Sequence, residues 1–192
     1  MGSPSTLPSS APDGPVGYSG AVEASTERDA SLRPALVLAG TAVALYVADQ
    51  ASKAAVVAAL GVGESVEVIG DLVRVWHVRN SGAAFSLFPG AIWLFIPVTI
   101  LALVMIGYFF RAFRDRGPWI HVVLGMILAG TLGNLTDRLR FGYVVDFVSV
   151  GFGQTRFPTF NVADSAVVVG IGLLVLYLTF ADGDGRQDQS AA

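Results

Sequence analysis

The chain has no cysteine in 192 residues, which excludes disulfides, thiol nucleophiles and any thiolate-held metal. Histidine is almost as scarce: His77 and His121 are the whole supply, and no HExxH or comparable ligand spacing occurs. Charge is also short. Asp, Glu, Lys and Arg make up 14% of the residues against 53% hydrophobic ones, and a net charge of −3 offers a nucleic acid no basic surface. Ser81, Ser86 and Ser165 lack a base at an informative spacing; Lys53 and His77 stand at no position that argues for either.

What is abundant is apolar sequence, gathered in four runs near 34–60, 91–110, 119–138 and 162–181. Each holds about 20 residues, which at ~1.5 Å of rise per residue crosses a ~30 Å hydrocarbon core. The expected fold is therefore an all-α membrane protein with four transmembrane helices. Between the first and second runs, β-forming residues flank the turn signal Gly70-Asp71 and read as a hairpin. A second, shorter hairpin is expected around Gly151-Phe152-Gly153. Together, 62–90 and 140–160 should form a small extracytoplasmic β element. Residues 1–33, rich in Ser, Pro, Gly and Ala, are expected to be a disordered cytoplasmic tail, without the basic-then-apolar order of a signal peptide. Residues 182–192 read as a polar C-terminal tail.

Four spans place both termini on one side. Arg111, Arg114 and Arg116 between the second and third spans favour that side as cytoplasmic. Sorting the polar residues by depth then yields one pattern. Asp49 and Lys53 sit late in the first span at i, i+4, where they can pair. Asn134, Asp137 and Arg138 share a face at the end of the third span, Asn80 precedes the second, and Asn161 and Asp164 open the fourth. Asp146 lies in the loop between the last two spans. All of these groups fall at the end of the bundle away from the termini. Each also has an ordinary reading. Asn161 and Asp164 fit a helix-capping pair, Asp49 and Lys53 a structural ion pair, Asn134 and Arg138 interhelical hydrogen bonds, and Asp137 a partner for a nearby arginine.

If Asp146 and Asp164 approach one another, like-charge repulsion and burial raise the pKa of one, so the pair holds a proton near neutral pH. One carboxylate then activates a water while the other protonates a carbonyl oxygen, which is aspartic-protease chemistry without metal or nucleophile. Asp49, Asp137, Asp146 and Asp164 could instead hold a hard cation. A non-enzymatic proton or ion carrier is a further reading, but it expects acidic groups along the whole bilayer depth.

Five ordered motifs narrow the choice: DQASK from Asp49, NSGAAF from Asn80, GNLTDR from Gly133, VVDF from Val144 and FPTFNVADS from Phe157. Together they resemble the signal peptidase II family of bacterial inner-membrane aspartyl proteases, over roughly residues 35–177. The resemblance implies a peptidase domain at 34–181 that needs no cofactor or metal. It implies lipidated prolipoprotein substrates, cut before the diacylglyceryl-modified cysteine at the outer leaflet of the cytoplasmic membrane. By motif, Asp146 and Asp164 correspond to the catalytic dyad, and Asn134 and Arg138, with Asn80 and Asn161 nearby, to substrate-holding groups. Asp49, Lys53 and Asp137 correspond to supporting polar residues. Partners implied are the substrates and membrane lipid, for a monomer that globomycin-type antibiotics would occupy.

Overall fold

The computed structural model describes the backbone of residues 17–82 and 92–184 and the side chains of 32–82 and 95–180. The first 16 residues of the expected tail, the Ala83-Ala84-Phe85 end of the second motif, Ser86 and residues 185–192 lie outside the described residues. Contacts divide the chain into two units, 1–33 and 34–192. In the first unit the backbone is helical from Gly17 onward. No proline interrupts residues 17–33, and alanine, glutamate and arginine there favour helix.

Helix α1 (Gly17–Ala59) carries the first apolar span, α2 (Ile92–Ala112) the second, α3 (Pro118–Phe141) the third and α4 (Val162–Asp184) the fourth. All four are long and apolar enough to cross a membrane. Helix α3 is the central one, since half of its apolar span is buried against 11% of that of α1. Ile120, Val123, Leu124 and Ile127 on α3 meet Ile106 of α2 and Leu174 of α4 in the apolar core. Most other large apolar side chains point outward, as they should where the solvent is hydrocarbon. Close approach between helices depends on small residues. A Cβ at Gly125 would lie 2.7 Å from the Leu38 carbonyl oxygen, and one at Gly130 would overlap the Ala163 carbonyl.

Strands β1 (Ser65–Ile69) and β2 (Val73–Asn80) form the first expected hairpin, and β3 (Val144–Phe152) and β4 (Thr155–Arg156) the second. The two hairpins join into one antiparallel sheet in the order β1-β2-β3-β4. The joining edge pairs Val73 with Val150 at one end and Asn80 with Val144 at the other. Asp71 locks the hairpins at their turns: it accepts from the Gly153 N–H at 2.5 Å and pairs with Arg74 at 2.6 Å and Arg156 at 3.2 Å. Arg156 also donates to Ser149 Oγ at 2.8 Å. The Gly153 N–H bonded to Asp71, with both arginines adding to the effect, holds the Asp71 carboxyl below the usual aspartate range. The joined sheet sets Val78 of β2 opposite Asp146 of β3.

Candidate active site

Late in α1, Lys53 Nζ lies 2.8 Å from Asp49 Oδ2 and 3.0 Å from Asp137 Oδ2 of α3. All three are buried, so the cation offsets two carboxylates that water does not reach. The remaining acceptors are also used. Asp49 Oδ1 takes the Ala163 N–H of α4 at 2.9 Å, and Asp137 Oδ2 takes the Val145 N–H of β3 at 3.2 Å. The Gln50 amide bridges the two carboxylates with bonds of 3.1 Å to each. One ionic group thus ties α1, α3, β3 and the start of α4 together. It also accounts for Gly133, where a Cβ would come within 2.6 Å of Asp49 Oδ2. Among the described residues Asp137 pairs with Lys53 and with no arginine, although arginines flank it in the sequence. Arg138 turns to the other side of α3, donates to the Asn134 carbonyl at 3.3 Å and stacks 3.9 Å above the Phe95 ring.

Asn134 connects this group to the acidic residues beyond it. Its Oδ1 accepts from Lys53 Nζ and from Asn161 Nδ2, both at 3.1 Å. With that oxygen committed to two donors, the amide nitrogen faces the other way and donates to Asp164 Oδ1 at 2.7 Å. Asp164 in turn caps α4. Its Oδ2 accepts the Asn161 N–H at 3.1 Å, while Asn161 Oδ1 accepts the Asp164 N–H at 2.9 Å. The capping-pair reading of these residues is therefore realised, and it leaves Asp164 half-buried at the helix mouth.

Asp146 sits on β3, opposite Val78 of β2, and is 1% exposed. Asn161 Nδ2 donates to its Oδ1 and Asn80 Nδ2 to its Oδ2, each at 2.8 Å. Asn80 is itself held by the Gly82 N–H on its Oδ1 at 2.8 Å. Asn161 consequently bonds both carboxylates, Asp146 through its side-chain amide and Asp164 through its backbone N–H. Burial pushes the Asp146 carboxyl up to about 6, and the negative charge of Asp164 acts in the same direction. The amides of Asn80 and Asn161 oppose the shift because they bond the ionised form. The structure thus links eight of the nine residues singled out in the sequence through side-chain bonds: Asp49, Lys53, Asp137, Asn134, Asp164, Asn161, Asp146 and Asn80. The ninth, Arg138, meets the network at the Asn134 backbone.

A cavity of about 310 Å³ between α2, α3 and α4 opens onto this end of the network. Asn134, Arg138 and Asp164 are its polar wall; Phe95, Val98 and Val168 are part of its apolar one. A carboxylate, a guanidinium and an amide at one end of an apolar groove suit an extended polar segment attached to apolar chains. Of the four aspartates that could have shared a cation, Asp49 and Asp137 share Lys53, while Asp146 and Asp164 bond amides and backbone N–H groups. Two contributors escaped the sequence reading: Gln50, signalled only by lying between Asp49 and Lys53, and Phe95, which carried no signal beyond an apolar run.

The family model described as signal peptidase (SPase) II matches residues 41–180. Lipoprotein signal peptidase from Dehalococcoides mccartyi is 46% identical over 150 residues, 75% of this chain and 90% of that protein. Lipoprotein signal peptidase from Mycobacterium leprae is 44% identical over 180 residues, covering 88% of this chain and 85% of its own. A solved structure of a bacterial membrane enzyme superposes with a TM-score of 0.63 at 33% identity, over 72% of this chain and 89% of that one.

Proposed function

The chain belongs to the signal peptidase II family of aspartic peptidases, and from that premise we propose that it removes the signal peptide from diacylglyceryl-modified prolipoproteins by a dyad of Asp146 and Asp164. The observation that carries the mechanism is the Asn161 bridge, which bonds both carboxylates at once. Asp146, whose pKa is raised to about 6, holds the shared proton, and Asp164 at the cavity wall is the base. Asp164 takes a proton from water as its oxygen bonds to the scissile carbonyl carbon, and Asp146 gives its proton to the carbonyl oxygen. Collapse of the tetrahedral diol breaks the C–N bond, with the proton from Asp164 passing to the leaving amine and a hydroxyl proton returning to Asp146.

Arg138 faces the cavity and is assigned to the substrate backbone. Asn134 is assigned a different emphasis from the substrate-holding one, because its oxygen is committed and its nitrogen orients Asp164. Asn80 and Asn161 hold Asp146, and Asp49, Lys53 and Asp137 anchor the framework. The apolar remainder of the cavity fits acyl chains entering sideways from a bilayer, which supports an active site at the outer leaflet and cytoplasmic termini. We assign the peptidase domain to 34–181, acting as a monomer.

Purified enzyme should cleave a lipidated proform before its modified cysteine, in EDTA as well as without it. It should leave uncleaved a proform whose lipobox cysteine is replaced by serine and so carries no lipid. Cleavage that stops in EDTA, or that proceeds equally on the unlipidated proform, would overturn this reading.

A further inference from the structure

The catalytic cavity is not the only opening at the sheet-bearing end of the helices. A second one, of about 290 Å³, lies on the other side of the Lys53–Asp137 ion pair, between α1 and the end of α3. Its walls are Ala54, Val57 and Ala58 of α1, one face at i, i+3, i+4 spacing, with Phe141 of α3 and Val145 of β3. The small alanines leave a furrow where larger side chains would fill the gap.

Besides the Lys53–Asp137 ion pair, which also lines it, the cavity has an arginine. Arg140 lines the rim and lies 5.1 Å over the Phe141 ring. Phe141 stacks on Tyr143 at 5.8 Å, and Arg79 lies 4.8 Å over the Tyr143 ring. Register places Arg79 directly opposite Val145, a wall residue of the same cavity. Arg74, Arg156 and Lys53 all have carboxylate partners, whereas among the described residues neither Arg79 nor Arg140 lies within ion-pair distance of one. Arg140 is 22 residues beyond Pro118, so about 33 Å along α3, at headgroup depth if α3 spans the bilayer.

Two exposed cations fixed over stacked aromatic rings, above an apolar furrow, match an anionic glycerophospholipid. Guanidinium groups bind phosphate through paired N–H donors, and the rings hold them in place. We propose that this furrow is a lipid site distinct from the catalytic cavity, taking an anionic glycerophospholipid with its phosphate on Arg79 and Arg140. One acyl chain lies along Ala54, Val57 and Ala58. A zwitterionic lipid fits the furrow equally but lacks the net charge for the rim.

The test is lipid retention by full-length protein in native mass spectrometry, after equilibration in micelles containing equal phosphatidylglycerol and phosphatidylcholine. Wild type should keep phosphatidylglycerol with about tenfold preference, on the scale of one to two surface arginines. Arg79→Gln with Arg140→Gln should abolish the preference, and Ala58→Trp should reduce retention of phosphatidylglycerol by filling the furrow. Both variants should still cleave lipidated proform, which shows that they remain folded. Equal retention of the two lipids by wild type overturns the proposal. So does a preference that survives the double arginine change in a protein that still cleaves, or full retention in an active Ala58→Trp.

Discussion

Asn161 stands between the two carboxylates, and its neighbour Asn80 controls the more buried of them. Asp146 has a folded pKa near 6, above the ~3.9 of an unperturbed aspartate, because burial disfavours its charge. Its contribution to stability is therefore fully present below about pH 4 and is lost as pH rises through about 6. If Asp146 donates the catalytic proton, kcat/KM should fall on the alkaline side with a midpoint near pH 6. Asn80 bonds the ionised form, so Asn80→Ala raises the Asp146 pKa and moves that midpoint upward by about one unit. A pH profile of kcat/KM for both proteins checks the sign; a downward shift would contradict the assignment. The sheet lock does not confuse the measurement. Asp71 is held below the ordinary aspartate range, so its contribution is lost only as pH falls through that lower value, well away from this window.

Helix α3 is the element on which the site depends, and its glycines set how near α1 and α4 can come. Gly130→Val would force a branched side chain against the Ala163 carbonyl, one residue before Asp164. Overpacking of this kind costs about 1–3 kcal/mol. The variant should unfold at lower temperature in detergent and lose activity out of proportion, because α4 carries Asp164. The helices were legible in the sequence because each is a long apolar run, and so was the gathering of Asp49, Asn134, Asp137 and Asp164 at one end. The joining of β2 to β3 was not, since register between segments separated by two helices leaves no local trace. Without that joining, Asn80 cannot reach Asp146, 66 residues away. The orientation of the Asn134 amide was equally hidden, because it follows from two donors on other elements.

At the scale of the whole molecule, the missing cysteines make topology easy to measure. Asp115 in the α2–α3 turn and Gln154 in the β3–β4 turn are both exposed, and four spans place them on opposite sides. Single Asp115→Cys and Gln154→Cys variants in intact cells should label oppositely with an impermeant maleimide. Gln154→Cys reacts from outside, and Asp115→Cys only after lysis. Reversal of that pattern would move the proposed site to the cytoplasmic leaflet. Everything assembled at the sheet-bearing end of the helices serves one proposal, that Asp146 and Asp164 together activate water on a peptide bond. The direct test is single-turnover cleavage of a lipidated proform by Asp146→Asn and by Asp164→Asn, each shown by circular dichroism to keep the wild-type fold. The account predicts that each loses about a thousandfold or more in rate, with the double variant little worse because the two act as a unit. A folded single variant that cleaves within about tenfold of wild type would contradict it.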